Sequence, residues 1–165
     1  MISNSPTATA TATGIGTVAG SAGTTHAAAE RARLPFARTA LILIAAVIVA
    51  TALNALVAFL AVQAGASASY PPLTLPVFAT FTVLGVAIGW IGWRIVQRRA
   101  ARPGRVLAIL VPAVVAASLV PNVVLLFTEF IPGTNPAAVW ALMAMHVVVA
   151  GVAVVGYVLA SKPRR

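Results

Sequence analysis

The side chains of this 165-residue chain that could do chemistry are few, and they lie inside long apolar stretches. They are two amides, one imidazole and three hydroxyls: Asn54, Thr80, Thr82, Ser118, Asn122 and His146. Histidine is the side chain whose usual change of charge falls closest to physiological pH. His146 is therefore a candidate proton carrier or ligand contact. The amides and hydroxyls can form hydrogen bonds either with a ligand or with a neighbouring helix.

The residue inventory excludes several other kinds of site. The chain has no cysteine, so a thiol or metal–thiolate centre is impossible. A carboxylate pair is excluded because Glu30 lies in the tail, away from Glu129. Ser118 has no acid near it for a hydrolase triad, and His146 has no second intramembrane histidine for a bis-histidine haem. There is no glycine-rich phosphate loop, and the first helix has no acid of the kind expected in a small multidrug exporter. We predict no enzyme activity, no cofactor and no metal.

The composition indicates a membrane protein. Apolar residues make up 61% of the chain and charged residues 8%, whereas soluble domains carry about 45–50% and about 25%. The mean hydropathy of +1.02 agrees. These values exclude a water-soluble enzyme.

Four apolar blocks must position the polar residues. A helix that crosses a hydrocarbon core of about 30 Å needs about 20 apolar residues, and lipid forces each block to satisfy its backbone groups internally as a helix. The predicted helices cover residues 39–63, 75–96, 106–130 and 136–160. Pro76 and the pair Asn135-Pro136 suit the first turns of the second and fourth helices. Pro112 and Pro121 interrupt the third helix and predict a tolerated kink, with a gating hinge as the alternative.

These blocks predict an all-α fold, an integral membrane four-helix transmembrane bundle over residues 38–161. A disordered, cytoplasmic tail rich in Thr, Ala, Ser and Gly covers residues 1–37, and a basic cytoplasmic C-terminus covers residues 162–165. The tripeptide Ala66-Ser67-Ala68 resembles a signal-peptidase site. However, the preceding apolar block is longer than a signal sequence normally carries, which favours a retained span.

Basic residues predict the orientation. They cluster before the first helix, between the second and third, and at the C-terminus, while the loops 65–74 and 131–135 have none. By the positive-inside rule both termini and the Arg-rich loop face the cytoplasm. We predict a multi-pass protein of the plasma membrane.

The Arg-rich loop is a candidate site for anionic lipid headgroups, which bind at about 1 kcal/mol per basic residue near the surface. Its residues are Arg94, Arg98, Arg99, Arg102 and Arg105. Nucleic acid is not a predicted partner, because the charge lies only at the ends of apolar blocks and no nucleic-acid-binding motif accompanies it.

Small residues predict how the helices pack. Ala46, Ala50, Asn54 and Ala58 recur every four residues and place Asn54 on a small-residue stripe, and Gly85 and Gly89 form a small-x-x-x-small contact in the second helix.

The polar residues fall at a common depth, roughly 9–18 Å below the outer interface at 1.5 Å rise per residue. The predicted polar layer comprises Asn54, Thr82, Ser118, Asn122 and His146. One interpretation is a dry network of interhelical hydrogen bonds, and the other is a polar pocket or water-filled cavity.

The sequence resembles a family of four-helix actinobacterial membrane proteins, the domain-of-unknown-function family 6069. The resemblance covers residues from about 38 to 160. It is carried by Asn54 late in the first helix, Gly85-Val-Ala-Ile-Gly89-Trp90 before an Arg-rich loop, Ser118-Leu-Val-Pro121, and Leu142-Met-Ala-Met-His146-Val-Val-Val-Ala150. The family implies a four-helix membrane fold and assigns no activity to any residue.

Two functions are compatible with these features. The first is a non-enzymatic accessory, scaffold or interaction protein whose partner is another membrane protein or a second copy of the chain. The alternative is a small transporter, channel subunit or lipophilic-ligand binder that uses the polar layer. Because a four-helix monomer is expected to enclose little volume, we expect the second function to require a dimer.

Overall fold

The computed structural model describes the backbone of residues 20–128 and 131–162, with side chains from residue 36 onward in those ranges. Its helices are α1 (Gly20–Gln63), α2 (Leu75–Arg99), α3 (Pro103–Thr128) and α4 (Pro136–Ser161), with a short 3-10 helix at Pro71–Leu73 between α1 and α2. No β-strand occurs in these ranges. The all-α fold is therefore confirmed.

Each of the four helices is long and apolar enough to cross a membrane. The candidate spans are Phe36–Gln63, Leu75–Arg99, Pro103–Thr128 and Pro136–Ser161. They agree with the predicted blocks to within a few residues, although the predicted end of the third helix at residue 130 lies just outside the described residues. The prediction of a four-helix transmembrane bundle is confirmed, and the chain is a multi-pass membrane protein.

The first helix begins earlier than the predicted span. The chain divides into two compact units, Met1–Phe36 and Ala37–Arg165, and α1 begins at Gly20, well before the predicted start at residue 39. Helix thus covers the second part of the predicted tail. Alanines are frequent between residues 27 and 32, and alanine has the highest helix propensity. Residues 1–19 lie outside the described residues, and for them the disordered tail stays a prediction.

Local sequence explains where the later helices begin. Asn135 caps α4: its side-chain oxygen accepts a hydrogen bond from the Ala138 N–H at 2.8 Å, and Pro136 occupies the first turn. Pro76 occupies the first turn of α2 in the same way. Pro112 and Pro121 lie inside α3, which remains one helix.

Hydrogen bonds join the loops at one end of the bundle. The buried Tyr70 hydroxyl lies 3.2 Å from Thr134 Oγ1, and Asn135 Nδ2 donates to the Gly65 carbonyl at 2.8 Å. The loop after α1 is thereby held against the loop before α4.

The opposite end of the bundle carries Arg38, near the start of the first span, and Lys162, the last described residue. Arg38 Nη1 donates to the Lys162 carbonyl at 3.4 Å, and Trp93 Nε1 donates to Ser161 Oγ at 3.1 Å. The start of the α1 span and the ends of α2 and α4 therefore lie together. This is the up-and-down arrangement expected when short loops join antiparallel helices.

Burial is uneven among the helices. Helix α4 contributes eight buried residues, including Ala138, Met145 and Tyr157. Among the described residues of α3, only Leu107 and Asn122 are buried. Helix α4 therefore forms the centre of the bundle, while most side chains of α3 are exposed or only partly buried.

Candidate functional site

A cavity of about 820 Å³ runs along the inner faces of α2, α3 and α4, with Asn54 contributed by α1. We call it the main cavity. Its wall includes all five residues of the predicted polar layer: Asn54, Thr82, Ser118, Asn122 and His146. The rest of the wall is largely apolar. The five side chains come from all four helices, so the structure gathers at one site residues that are far apart in sequence.

The main cavity is open at its side. Phe81 and Ile88 of α2 and Val114 of α3 line it, yet each of these side chains is itself largely exposed. In a membrane, exposed apolar side chains at this depth contact lipid. The cavity therefore opens between α2 and α3 towards the hydrocarbon of the bilayer.

The main cavity, at about 820 Å³, is open at its side rather than enclosed. The expectation that a four-helix monomer encloses little volume and that the ligand-handling function requires a dimer therefore stays a prediction. The wall contains Gly85, Gly89, Gly92, Ala150 and Ala153, so α2 and α4 present little side-chain volume there. A single chain is enough to form the cavity.

Asn54 and Thr82 form the first polar pair of the cavity wall. Asn54 Nδ2 donates to Thr82 Oγ1 at 3.2 Å, and Thr82 Oγ1 donates to the Phe78 carbonyl at 2.8 Å. The two side chains are only 1% and 2% exposed. Asn54 Oδ1 is buried without a hydrogen-bond partner in the described part of the chain. This pair links α1 to α2 and leaves one acceptor free.

Asn122 and His146 form the second polar pair, between α3 and α4. Asn122 Nδ2 lies 3.4 Å from His146 Nδ1, and His146 Nδ1 lies 2.7 Å from the Leu142 carbonyl of its own helix. A carbonyl oxygen can only accept, so the shorter contact places the hydrogen on Nδ1. Asn122 is buried and His146 half-buried.

Ser118 lines the same cavity but bonds within its own helix: its hydroxyl donates to the Val115 carbonyl at 2.7 Å. Thr80 does not join the layer. Its side chain is exposed outside the cavity wall, and its hydroxyl donates to the Pro76 carbonyl at 2.7 Å. Both hydroxyls thus donate to a backbone carbonyl of the preceding turn of their own helix, as Ser and Thr side chains inside helices commonly do.

The predicted packing residues lie at close contacts. Ala50 is fully buried, and its stripe neighbours Ala46 and Ala58 are 6% and 8% exposed. A Cβ placed on Gly85 would lie 3.9 Å from Val149, in ordinary contact, whereas one on Gly89 would overlap the Tyr157 hydroxyl. The Gly85–Gly89 face is therefore turned towards α4.

The sequence analysis did not assign to the site an aromatic group at the end of the cavity nearest the C-terminus of α2. Tyr157 donates a hydrogen bond to the Val86 carbonyl at 2.7 Å, and its ring lies 5.6 Å from the rings of both Trp90 and Trp93. Tyr157 and Trp93 line the cavity. A signal was present, since Tyr157 follows His146 by about three helical turns and so shares its face.

The arginines lie away from the cavity. Arg98, Arg99, Arg102 and Arg105 are exposed at the end of α2 and the start of α3, while Arg94 is half-buried with its guanidinium carbon 5.5 Å from the centre of the Trp90 ring. Arg94 is thus held on an aromatic face. Within the described ranges, no group of three His, Cys, Asp or Glu side chains could hold a metal ion.

The fold and this site define a class: a multi-pass, four-helix membrane protein with a lateral intramembrane cavity. The model of a family of unknown function, DUF6069, matches residues 34–163. The chain therefore belongs to that family, as its resemblance in sequence indicated. Comparisons with curated proteins and with solved structures give no match.

Proposed function

We propose that this membrane protein is not an enzyme and binds a lipophilic small molecule in the main cavity. The observation that carries the proposal is the meeting of all five polar-layer side chains on the wall of one apolar cavity. Polar groups are expensive in hydrocarbon, and a dry network of helix contacts would pair them fully. Asn54 Oδ1 has no partner among the described residues, so the layer is not the fully paired network that a purely structural role would give.

The size and lining of the cavity fit this use. Small-molecule sites generally measure about 300–1,000 Å³ and combine apolar walls with a few polar groups that orient the ligand. The main cavity, at about 820 Å³, lies in this range. Its opening between Phe81 of α2 and Val114 of α3 supports entry from the bilayer rather than from water.

An accessory or interaction role is the second candidate. Gly92 of α2 lines the main cavity, and a Cβ on it would meet no heavy atom within 4 Å. A helix of another membrane protein, or of a second copy, could pack against this open glycine. Small residues at such positions are typical of helix contacts in membranes.

Location and lipid contacts form part of the same proposal. We place the protein in the plasma membrane with both termini and the arginine loop in the cytoplasm, on the strength of the positive-inside rule. There the exposed Arg98, Arg99, Arg102 and Arg105, with Arg94, would contact anionic headgroups.

Filling the cavity tests the proposal. Gly92→Leu adds a side chain at an exposed α2 position of the cavity wall, where a Cβ would meet no heavy atom within 4 Å, and Gly151→Leu adds the same side chain to an equally open, exposed α4 position that is not in the cavity wall. Both changes replace glycine in a helix by a better helix former. In lipid nanodiscs, a long-chain alcohol brominated in mid-chain should quench the fluorescence of Trp93, which lines the cavity.

We expect saturable quenching in the unchanged chain and in Gly151→Leu, and binding at least about tenfold weaker in Gly92→Leu. Competition by the unbrominated alcohol separates binding from quenching by bulk lipid. The exposed Trp140 is first changed to Phe so that it adds no background. Equal quenching in all three proteins would overturn the proposal. So would a change of oligomeric state confined to Gly92→Leu, which would favour the interaction role.

Cysteine labelling distinguishes a lipophilic site from a water-filled path. Because the chain has no cysteine, single changes Asn54→Cys, Asn122→Cys and His146→Cys can be probed with a membrane-impermeant thiol reagent. Ser69→Cys, in an exposed loop, is the positive control. We expect labelling of the control only. Labelling of the three cavity positions would instead favour a transporter or channel.

A further inference from the structure

We propose that the main cavity selects lipophilic molecules that carry an uncharged hydrogen-bond donor, such as a long-chain alcohol, over the corresponding ether or carboxylate. This inference rests on the proposed function and specifies its ligand. It follows from which polar atoms of the cavity wall are already committed and which remain free.

His146 offers an acceptor. Its Nδ1 hydrogen is given to the Leu142 carbonyl, 2.7 Å away. In the neutral ring Nε2 then carries a lone pair and no hydrogen, so it can only accept. No partner for Nε2 is found in the described part of the chain, and the half-buried side chain lines the cavity. His146 Nε2 is therefore a hydrogen-bond acceptor that has no donor partner in the described part of the chain.

Asn54 holds an unpaired acceptor, but that atom is closed to the cavity. Asn54 Nδ2 donates one hydrogen to Thr82 Oγ1, whose own hydrogen goes to the Phe78 carbonyl. The second Nδ2 hydrogen and Oδ1 are left, in a side chain that is only 1% exposed. Because Oδ1 is out of reach of even a water-sized molecule, Asn54 does not decide which ligand the cavity accepts.

Ser118 adds lone pairs of the same kind. Its hydroxyl hydrogen is held by the Val115 carbonyl at 2.7 Å, so towards the cavity the oxygen can only accept. Asn122 Nδ2 has hydrogens to offer, since it faces the Nδ1 donor of His146 at 3.4 Å, a poor contact between two donors. The spare Nδ2 hydrogen of Asn54 belongs to a side chain that is only 1% exposed. Two acceptors, His146 Nε2 and Ser118 Oγ, thus face one available donor group.

The charges of the wall exclude an anion. Among the described residues that line the main cavity there is no Lys, Arg, Asp or Glu. A carboxylate or phosphate placed there would lose its hydration without gaining a countercharge, which is strongly unfavourable in a low-dielectric site. An alcohol supplies the missing hydrogen without any charge. A methyl ether of the same chain has nearly the same apolar body and no hydrogen to give.

The test compares three probes on the unchanged protein in nanodiscs: a mid-chain brominated octadecanol, its methyl ether, and the carboxylic acid of the same chain at neutral pH. The readout is the saturable part of the tryptophan quenching, since Trp93 is the tryptophan that lines the cavity. We expect the alcohol to bind about five- to tenfold more tightly than the ether, the ratio that one net hydrogen bond provides, and the acid to bind more weakly than the alcohol. Because no variant is needed, a folding defect cannot imitate the result.

Two variants test whether the preference for the alcohol over the ether arises in the cavity. His146→Leu should bring the alcohol down to the affinity of the ether while leaving the ether unchanged. Thr80→Val, a change to an exposed hydroxyl outside the cavity, should leave both affinities as they are. Equal binding of alcohol and ether by the unchanged protein would overturn the donor inference and leave the proposed function standing, as would tighter binding of the acid. Absence of saturable quenching by all three probes would overturn both.

Discussion

Asn54 combines a committed donor with an uncommitted acceptor at the most buried polar position of the described chain. Its stripe neighbour Ala50 is fully buried, and Thr82 across the helix contact is 2% exposed. Water has no ready access to such a position. A free carbonyl oxygen there costs about 1–3 kcal/mol, whereas an interhelical hydrogen bond in a membrane contributes about 0.6 kcal/mol on average.

These magnitudes predict that Asn54→Leu, a change of similar size, leaves the free energy of unfolding within about 1 kcal/mol of its original value or raises it. Thr82 keeps its bond to Phe78 after the change. The control is Ala50→Leu, where added volume at a closed contact should cost about 1–3 kcal/mol. Reversible unfolding in mixed micelles measures both. Equal destabilisation by the two changes would mean that Asn54 Oδ1 is satisfied in the folded protein.

At the scale of elements, the contact between α2 and α4 depends on two glycines with different surroundings. Gly89 lies against the Tyr157 hydroxyl, which is held in place by its bond to the Val86 carbonyl and by two tryptophan rings. Gly85, one turn earlier, has room for a methyl group 3.9 Å from Val149. The same substitution should therefore act in opposite directions at the two sites.

We predict that Gly89→Ala lowers the free energy of unfolding by about 1–3 kcal/mol, because the new methyl group displaces Tyr157 from a closed site. Gly85→Ala should be neutral or stabilising by up to about 1 kcal/mol, since it removes the entropy cost of glycine in a helix. Thermal unfolding of the two variants in one detergent is the measurement. A stable Gly89→Ala protein would show that α2 and α4 can separate at no cost.

At the scale of the whole molecule, the helix contacts place the basic residues around the described spans at one end of the bundle. The contacts of Arg38 with Lys162 and of Trp93 with Ser161 gather the ends of three helices at the side that carries the arginine loop. The loops bonded through Tyr70 and Asn135 form the other side. Which side faces the cytoplasm follows from charge rather than from packing.

The positive-inside rule predicts that alkaline phosphatase is inactive when fused after Lys162 and active when inserted at Ser69, in a bacterial host. A fluorescent protein that folds only in the cytoplasm should show the converse. Activity after Lys162 would place the arginine loop outside and would remove the basis for its contact with cytoplasmic anionic lipid.

The sequence by itself determined the number of spans and, to within a few residues, their limits. These are local properties: an apolar block must be long enough for the bilayer, and its backbone must form its own hydrogen bonds. The cap at Asn135 and the proline at residue 76 mark helix starts for reasons contained within one turn. The start of α1 was predicted only in part. The helix extends beyond the apolar block to Gly20, because the preceding residues include alanines of high helix propensity.

Only the tertiary structure decided which polar residues meet and what lies between them. A common depth does not reveal the rotation of each helix, so Thr82 joined Asn54 while Thr80, two residues earlier, turned outwards. Nor does the spacing of residues along the chain reveal that the Tyr157 hydroxyl lies against Gly89. Partner choice, the free oxygen of Asn54 and the cavity depend on distances between helices. Those distances arise from side-chain volumes on two surfaces at once, which no single stretch of sequence contains.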